Sequence, residues 1–111
     1  MLECLFGTPI IEKVLFYLFI NQKCYPSELK AVFQTPLYSF QRALGRLEKG
    51  GVVCSRKEGK TLLYQFNPRY AFLKELKAFL DKSYSFLPED LQKKYYEPSL
   101  RTRPRRSGKP L

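Results

Sequence analysis

Residues 36–49 combine three side chains that form directional hydrogen bonds with a repeating apolar pattern. Four apolar residues follow one another at intervals of 3, 4 and 3, which predicts a helix with one buried face: Leu37, Phe40, Leu44 and Leu47. Gln41, Arg42 and Arg46 fall on the opposite face. A glutamine amide can bond bidentately to adenine, and an arginine guanidinium can do the same to guanine. The major groove of DNA is wide enough for a helix, so this segment predicts a helix that lies in that groove and contacts base edges.

The same predicted face carries residues that suit the sugar-phosphate backbone. Tyr38 and Ser39 lie near the start of the helix, where hydroxyls and backbone N–H groups without helical partners bind phosphates. We therefore expect Gln41, Arg42 and Arg46 to give sequence specificity, and Tyr38 and Ser39 to give register. The alternative is an ordinary solvated face, on which charged side chains simply keep the helix in water.

Two runs of β-forming residues follow, joined by a break that contains Gly59, and they predict a β-hairpin. The predicted strands are residues 52–57 and 61–66. The charged residues of the tip are Arg56, Lys57, Glu58 and Lys60. A hairpin beside the preceding helix would bring the three basic side chains to the DNA backbone or the minor groove. The alternative is a charged hairpin end that prevents edge-to-edge pairing of strands between molecules.

Thr8 and Pro9 predict the start of an earlier helix, because a threonine hydroxyl caps a helix N-terminus and proline favours the first helical position. This helix, residues 9–22, is apolar almost all round. Its predicted inward residues are Ile10, Ile11, Val14, Leu15 and Leu18, and its apolar surface is widened by Phe16, Tyr17, Phe19 and Ile20. A helix that is apolar on both sides must be covered on both sides. It is therefore either a plain core helix or also part of a dimer interface.

A shorter helix, residues 24–33, precedes the tight break "QTP". Its predicted inward residues are Leu29, Val32 and Phe33. We expect Thr35 to cap the next helix and Pro36 to be its first residue. That helix should end at Gly50 and Gly51, because glycine tolerates the left-handed conformation that often follows a helix.

Asn67 and Pro68 repeat the signal of a cap followed by proline, and they predict a fourth helix. Its predicted inward residues are Tyr70, Leu73, Leu76, Phe79 and Leu80. A last short helix is expected to start at Pro88. The final residues contain three prolines and hardly any apolar side chains, so they cannot bury enough surface to order themselves. We therefore divide the chain into a folded domain, residues 1–96, and a basic, Pro- and Arg-rich flexible tail, residues 97–111.

The order of a short helix, a tight break, a second helix and a two-stranded wing is that of a winged helix-turn-helix domain, mostly α with a small β-wing. The run from the wing into the next helix contains Gly59, Lys60, Thr61, Tyr64, Asn67, Pro68, Tyr70, Phe72, Glu75 and Leu76. With these residues, the chain from position 8 to position 82 resembles ArsR-like winged-helix transcriptional regulators of a bacterial and archaeal branch. The resemblance implies a homodimer formed through the first and last helices and a two-fold symmetric operator. It also points to a protein partner, since domains of that branch often occur beside, or fused to, minimal nucleotidyltransferase domains.

The chain is strongly basic, with 20 lysines and arginines against 10 aspartates and glutamates and a net charge of +10. Such a surplus favours binding to nucleic acid, with an anionic membrane surface as the weaker rival. The arginines of the tail are Arg101, Arg103, Arg105 and Arg106. Arginines in a flexible arm can enter a narrow minor groove, so these four are further candidates for DNA contact. A solvated end or a protein-binding segment are the alternatives.

Cys4, Cys24 and Cys54 are odd in number and widely spaced, which argues against a disulfide framework or a zinc ribbon. The sequence contains no histidine and no Cys-x-x-Cys motif, so we predict no metal site and no cofactor. Metal-sensing members of the resembled family carry a Cys-x-Cys near the helix before the turn, where this chain has Cys24 alone. Cys24 stands just ahead of a helix, where the pKa of a thiol can be lowered, so a redox switch stays open. Cys54 is expected to be a small core residue.

The sequence does not predict an enzyme. It offers no histidine as a general base, no glycine-rich phosphate loop and no carboxylate pair at a suggestive spacing. Its N-terminus lacks the basic stretch of a signal peptide, and its longest apolar run is seven residues. We therefore expect a cytoplasmic protein with no membrane span.

These observations predict a homodimeric winged-helix protein that binds a specific sequence of double-stranded DNA, most simply a transcriptional regulator of the repressor type. Two alternatives remain. One is a protein-interaction module that docks on a nucleotidyltransferase-like partner. The other is a charge-driven binder of nucleic acid without sequence preference.

Overall fold

The computed structural model describes residues 1–97. This part of the chain is mostly helical with a small β-structure, as predicted, but its antiparallel sheet has three strands where two were predicted. The helices are α1 (Glu3–Phe6), α2 (Pro9–Asn21), α3 (Pro26–Phe33), α4 (Leu37–Lys49), α5 (Leu73–Ser85) and α6 (Glu89–Leu91), and a π-helical turn (Gln92–Tyr96) follows α6. The strands are β1 (Lys23–Cys24), β2 (Val53–Glu58) and β3 (Thr61–Phe66). Apart from Glu97, the predicted tail lies outside the described residues, and with it Arg101, Arg103, Arg105 and Arg106.

Helix α2 begins where the sequence predicts it. The Thr8 hydroxyl accepts a 2.8 Å hydrogen bond from the Ile10 N–H, and Pro9 occupies the first helical position. The helix ends at Asn21, after which Gln22 adopts the left-handed conformation with φ 73°. The Thr8 cap and Pro9 therefore determine the residue at which α2 begins.

Helix α2 is the centre of the hydrophobic core. Its buried apolar residues are Ile11, Val14, Leu15, Phe16 and Leu18. It packs against α4, α5 and the π-helical turn. The ring centroid of Phe16 lies 5.7 Å from those of both Tyr84 and Tyr96. Much of the apolar surface that suggested a dimer interface on α2 is thus covered by the C-terminal helices of the same chain.

The central strand of the sheet is β3. The hairpin of β2 and β3 pairs Glu58 with Thr61 next to its turn. Strand β1 pairs with the other edge of β3, so that Cys24 lies opposite Tyr64. Strand β1 has only two residues, and it was not predicted because so short a strand has no recognisable period. It connects the chain between α2 and α3 directly to the hairpin.

The segment after the hairpin differs from the prediction. Asn67 does not cap a helix: its Nδ2 donates to the Gly51 carbonyl at 3.0 Å, and its Oδ1 accepts from the Arg69 N–H at 3.0 Å. The chain turns over residues 68–72, and α5 begins only at Leu73. The side-chain amide of Asn67, which was predicted to cap a helix, instead bonds across the base of the hairpin.

The inward face of α5 is narrower than predicted. Leu80 is fully buried, and Leu73 and Leu76 are half-buried, as is Tyr70 ahead of the helix. Phe79, however, is 39 % exposed, so the prediction that it faces the core of this chain was wrong. Apolar character alone does not distinguish a core position from one on an exposed stripe beside the core.

Side-chain amides hold the C-terminal segment in place. Gln92 Nε2 donates to the carbonyls of Tyr84 at 2.8 Å and Leu87 at 3.0 Å, and Asn21 Nδ2 donates to the Tyr96 carbonyl at 2.8 Å. The last described turns are thereby attached to α5 and α2. Within residues 1–97, no helix has both the length and the apolarity needed to cross a membrane.

Candidate nucleic-acid interface

A three-residue turn joins α3 to α4. It begins at Gln34, which has φ 52° and whose N–H donates to the Lys30 carbonyl at 2.8 Å. Thr35 was predicted to cap α4, but its hydroxyl donates to the Phe33 carbonyl at 3.1 Å, and Pro36 occupies the N-cap position instead. The predicted cap was therefore wrong by one position, because the Thr35 hydroxyl bonds backward to α3. The tight connection between the two helices is nevertheless present.

The packing of α3 against α4 confirms the predicted buried face of α4. Phe40 and Leu44 are fully buried, and the ring centroid of Phe40 lies 5.9 Å from that of Phe33 in α3. The other two predicted positions, Leu37 and Leu47, are half-buried. This contact holds one side of α4 against the core and turns its other side outward.

The outward side of α4 carries the residues expected there. Its exposed residues are Tyr38, Gln41, Arg42, Gly45 and Arg46, and Ser39 beside them is half-buried. Tyr38 is 61 % exposed, so its ring and hydroxyl are accessible from solvent. Among residues 1–97, Gln41, Arg42 and Arg46 have no hydrogen-bond or ion-pair partner. Two unpaired guanidinium groups and one free amide therefore face solvent from a helix that is firmly held.

A cleft of about 410 Å³ runs between this face and the start of α2. From α4 it is lined by Tyr38, Ser39, Arg42, Ala43 and Arg46, and from the other side by Thr8, Ile10 and Ile11. Its lining combines the apolar side chains of Ile10, Ile11 and Ala43 with both arginines. The sequence did not predict that the start of α2 forms the other side of this cleft. Thr8 signalled the start of a helix, but no pattern in the sequence shows that this start lies beside α4.

Gly45 lies within the exposed face of α4, and nothing in the described structure requires a glycine there. A Cβ at this position would meet no atom within 4 Å, and the backbone is not in the left-handed region. Glycine inside a helix destabilises it by roughly 0.5–1 kcal/mol relative to alanine. Gly45 thus leaves the backbone of α4 open to close approach from outside, at a cost to the helix.

The hairpin projects beyond the core. The ends of its strands near the core are buried, whereas the distal residues 56–62 are exposed. A two-residue loop, Gly59 and Lys60, connects the strands, and Gly59 has φ 63°. Two-residue hairpin loops need such positive φ values, which glycine adopts without strain. Lys57 and Lys60 stand on this exposed end without an ion-pair partner in the described part of the chain.

Arg56 differs from the other basic residues of the hairpin. Its Nε donates to the Glu58 carboxylate at 2.9 Å, and both side chains are largely exposed. An ion pair in water contributes little to stability, and an external anion can compete for the guanidinium. The charge of Arg56 is therefore partly neutralised in the free protein.

A hydrogen bond between Glu48 and Ser55 ties α4 to the hairpin. The Ser55 hydroxyl in β2 donates to the Glu48 carboxylate at 2.7 Å. At the base of the hairpin, the Asn67 N–H donates to the Val52 carbonyl at 2.9 Å. The helix that bears the exposed face and the hairpin that bears the cationic end are therefore hydrogen-bonded to each other.

The environment of Cys24 does not suit a thiol switch. The side chain is fully buried, and burial, with a smaller contribution from the Glu28 carboxylate, raises the pKa of its thiol to about 12. The sequence had left open a lowered pKa at this position; burial beside the sheet overturns that expectation. Cys54 is half-buried and Cys4 is exposed. Among residues 1–97, no group of three or more histidine, cysteine, aspartate or glutamate side chains could hold a metal ion.

Comparison with known proteins gives no match to a protein-family model, a curated protein or a solved structure.

Proposed function

We propose that this protein binds a specific sequence of double-stranded DNA through a winged helix-turn-helix. Helix α4 would lie in the major groove, and the hairpin would act as a wing against the adjacent backbone or minor groove. The observation that carries this proposal is the unpartnered set of Gln41, Arg42 and Arg46 on the exposed face of a helix whose other face is core. Such side chains bond bidentately to adenine and guanine.

The order of the elements supports the proposal. Helices α2, α3 and α4 are followed by the hairpin, and the short strand β1 between α2 and α3 completes a sheet of order β1-β3-β2. In a helix-turn-helix, the first helix of the pair braces against the DNA backbone while the second enters the groove. Here α3 would brace and α4 would enter.

Each candidate residue has a distinct role in this arrangement. Arg42 and Arg46 would read guanines, and Gln41 would read an adenine. The hydroxyls of Tyr38 and Ser39 would contact phosphates and so set the register of α4 in the groove. From the wing, Lys57 and Lys60 would contact the backbone, and Arg56 would join them by exchanging Glu58 for a phosphate.

A regulator of the repressor type is the simplest biological role for such a module. The helix-turn-helix and the hairpin occupy residues 26–66, and α2, α5 and the C-terminal turns of the described chain pack into the same core around them. A protein of this kind acts by occupying its site and excluding other proteins from the same DNA.

The test is selection of fragmented genomic DNA of the source organism by the purified protein at about physiological salt, followed by sequencing of the retained fragments. Enrichment of a few sites that share a motif would support sequence-specific binding. Retention of all fragments to the same extent, with a steep dependence of affinity on salt, would instead indicate a charge-driven binder. Retention of nothing would overturn the proposal and favour docking on a protein partner.

The selected site then allows the role of α4 to be tested with Arg42→Ala. We expect this change to weaken specific binding by about 1–3 kcal/mol and to relax the preference at one base pair. Lys93→Ala is the control, since it removes the same charge from the exposed surface of the π-helical turn. Equal losses in the two variants would show that only net charge matters and that Arg42 reads no base.

A further inference from the structure

The cleft between the start of α2 and the exposed face of α4, here called the α2–α4 cleft, has a second wall that base reading does not need. Its volume is about 410 Å³, within the range of about 300–1,000 Å³ that is typical of small-molecule sites. Such sites often lie between neighbouring packed elements, and here α2 forms one wall and α4 the other. Contacts of Gln41, Arg42 and Arg46 with bases use α4 alone. The α2 wall therefore needs a different explanation.

The α4 wall of the cleft carries two positive charges. Arg42 and Arg46 are one helical turn apart, about 6 Å along the axis at 1.5 Å per residue. Among residues 1–97, no acidic side chain lines the cleft and neither guanidinium has an ion-pair partner. Guanidinium groups bond bidentately to phosphate and carboxylate oxygens. Two of them at this spacing match a head group with about two negative charges.

Hydroxyl groups line the same cleft. Tyr38 and Ser39 contribute theirs from α4, and Thr8 contributes its own from the α2 side. The Thr8 oxygen accepts a 2.8 Å hydrogen bond from the Ile10 N–H, but a hydroxyl that accepts one bond can still donate its proton. A phosphate group offers three strong acceptor oxygens and a carboxylate only two, so this number of donors suits a phosphate better.

The remaining lining of the cleft is apolar. Ile10 and Ile11 belong to the α2 wall, and Ala43 lies between the two arginines in α4. Ile10 is half-buried, so part of its side chain is still in contact with solvent. An inorganic anion gains nothing from such surface, because only apolar groups are favoured by moving out of water. A ligand that uses both walls therefore has a compact apolar or aromatic body next to its charged head.

We propose that the α2–α4 cleft binds a small organic phosphate monoester. The phosphate bonds to Arg42 and Arg46, the hydroxyls of Thr8 and Ser39 donate to it, and the apolar body lies against Ile10. A phosphate monoester carries a charge of about −1.5 to −2 at neutral pH, which the two guanidinium groups neutralise. The ligand is held reversibly, and no covalent bond is formed or broken.

Occupation of the cleft would regulate the DNA-binding face, and this consequence rests on the proposed function. Arg42 and Arg46 cannot bond to a phosphate monoester and to guanines at the same time, so ligand and DNA exclude each other. At a ligand concentration ten times its own dissociation constant, mass action raises the apparent dissociation constant for DNA about elevenfold. The ligand thus acts as a signal that releases the protein from its site.

The first test titrates the full chain, without DNA, and follows the backbone amides by two-dimensional NMR. The probes are phenyl phosphate, inorganic phosphate and benzyl alcohol, all at one ionic strength set with sodium chloride. Phenyl phosphate should shift amides of α4 and of residues 8–11 saturably, and should bind about tenfold more tightly than inorganic phosphate because its ring is also buried. Benzyl alcohol should not saturate the site. Equal affinities of the two phosphates, or equally large shifts on the hairpin, overturn the proposal.

Substitution in the α2 wall tests where the apolar body lies. Ile10→Ser should remove the advantage of phenyl phosphate over inorganic phosphate, because it takes away apolar surface of that wall. Ile20→Ser is the matched control, since Ile20 is also half-buried on α2 but does not line the cleft, and the advantage should stay about tenfold. An advantage that survives Ile10→Ser overturns the proposed position of the ligand.

Substitution in the α4 wall tests where the phosphate lies, at an exposed position where folding is not at risk. Arg42→Gln should weaken the binding of both phosphates by about tenfold, because it removes charge-assisted hydrogen bonds. Lys57→Gln removes the same charge from the hairpin and should have a much smaller effect. Equal losses in the two variants would show that the phosphates respond only to net charge, which overturns the proposal.

The second test adds phenyl phosphate to the complex of the protein with its selected DNA site and follows release by fluorescence anisotropy. The apparent dissociation constant for DNA should rise about elevenfold at ten times the dissociation constant of phenyl phosphate. A complex that is unchanged at this concentration overturns the regulatory role. Binding of phenyl phosphate by a protein that selects no DNA supports the ligand site and refutes the DNA-binding proposal. Selection of a DNA site without any binding of phenyl phosphate does the reverse.

Discussion

The Ser55 hydroxyl in β2 donates a 2.7 Å hydrogen bond to the carboxylate of Glu48 in the last turn of α4. This contact joins the helix proposed to read bases to the hairpin proposed to hold the backbone. The sequence pattern of α4 assigns Glu48 no partner. In the structure Glu48 accepts a hydrogen bond from β2 and so links the last turn of α4 to the hairpin.

Ser55→Ala tests whether that contact matters for binding. We expect a loss of about 0.5–1.5 kcal/mol in affinity for the selected DNA site, the usual contribution of one hydrogen bond, because the hairpin is no longer held in register with α4. The melting temperature should change little, since the contact is exposed. Fluorescence anisotropy with labelled DNA measures the effect. Ser85→Ala is the matched control, since it removes a serine hydroxyl that bonds only within α5, and equal losses in both variants would contradict the prediction.

Gly45→Ala should change stability and binding in opposite directions. A Cβ at position 45 meets no atom of the protein, so replacing the glycine should stabilise the fold by roughly 0.5–1 kcal/mol in a denaturant titration. The same methyl group would stand between α4 and the edges of the bases, so affinity for the selected site should fall. A variant that is more stable and binds equally well would show that DNA does not approach α4 closely at this position.

Glu58→Gln should tighten DNA binding. The substitution releases Arg56 from its 2.9 Å ion pair and removes a negative charge from the hairpin end. Because Arg56 already exchanges Glu58 for a phosphate in the proposed complex, the number of phosphate contacts does not change, so the affinity should rise while the dependence of the affinity on salt stays about the same. Titrations at several salt concentrations measure both quantities. Glu89→Gln breaks another exposed pair, with Lys93, and should raise the affinity less; an affinity that is equal in the Glu58→Gln and Glu89→Gln variants would mean that Arg56 stays away from DNA.

The free energy of unfolding should fall in alkaline solution. Burial raises the pKa of the Cys24 thiol and of the Tyr84 hydroxyl to about 12, and burial also raises the pKa of Tyr96. The pKa values of these groups are higher in the folded chain than in the unfolded one, so the folded state is fully favoured below about pH 9. This contribution to the free energy of unfolding is lost as the pH rises toward about 12, by at most about 1.4 kcal/mol per pH unit for each group. Urea titrations across this range measure the decline.

Cys24→Ala should make the alkaline decline shallower, whereas Cys4→Ala should not, since Cys4 is exposed. A free energy of unfolding that is constant from about pH 8 to about pH 11 would contradict the sign derived from these pKa shifts.

The sequence predicted well those elements whose residue pattern fits only one arrangement. The spacing of Leu37, Phe40, Leu44 and Leu47 allows only one buried face, and α4 has that face. Gly59 marks the one place where two β-forming runs can reverse, and the hairpin turns there. The exposed positions of Gln41, Arg42 and Arg46 follow directly from the first of these patterns.

The sequence failed where one residue had two possible partners. Asn67 could cap a helix or bond to a distant carbonyl, and it bonds to Gly51; Thr35 could cap α4 or bond back to α3, and it bonds back. Phe79 could face its own core or lie on an outer stripe, since both positions are apolar. These choices depend on which segments lie close together in space, and local patterns carry no such information.

The two-residue strand β1 supports the base of the hairpin. A free two-stranded ribbon would bend at its root, but β3 is held on both edges, by β2 on one side and by the chain between α2 and α3 on the other. The Cys24–Tyr64 pair therefore joins the hairpin to the segment that leads into α3. The orientation of the hairpin relative to α3 and α4 is thus set from two sides, by this pair and by the chain that follows α4.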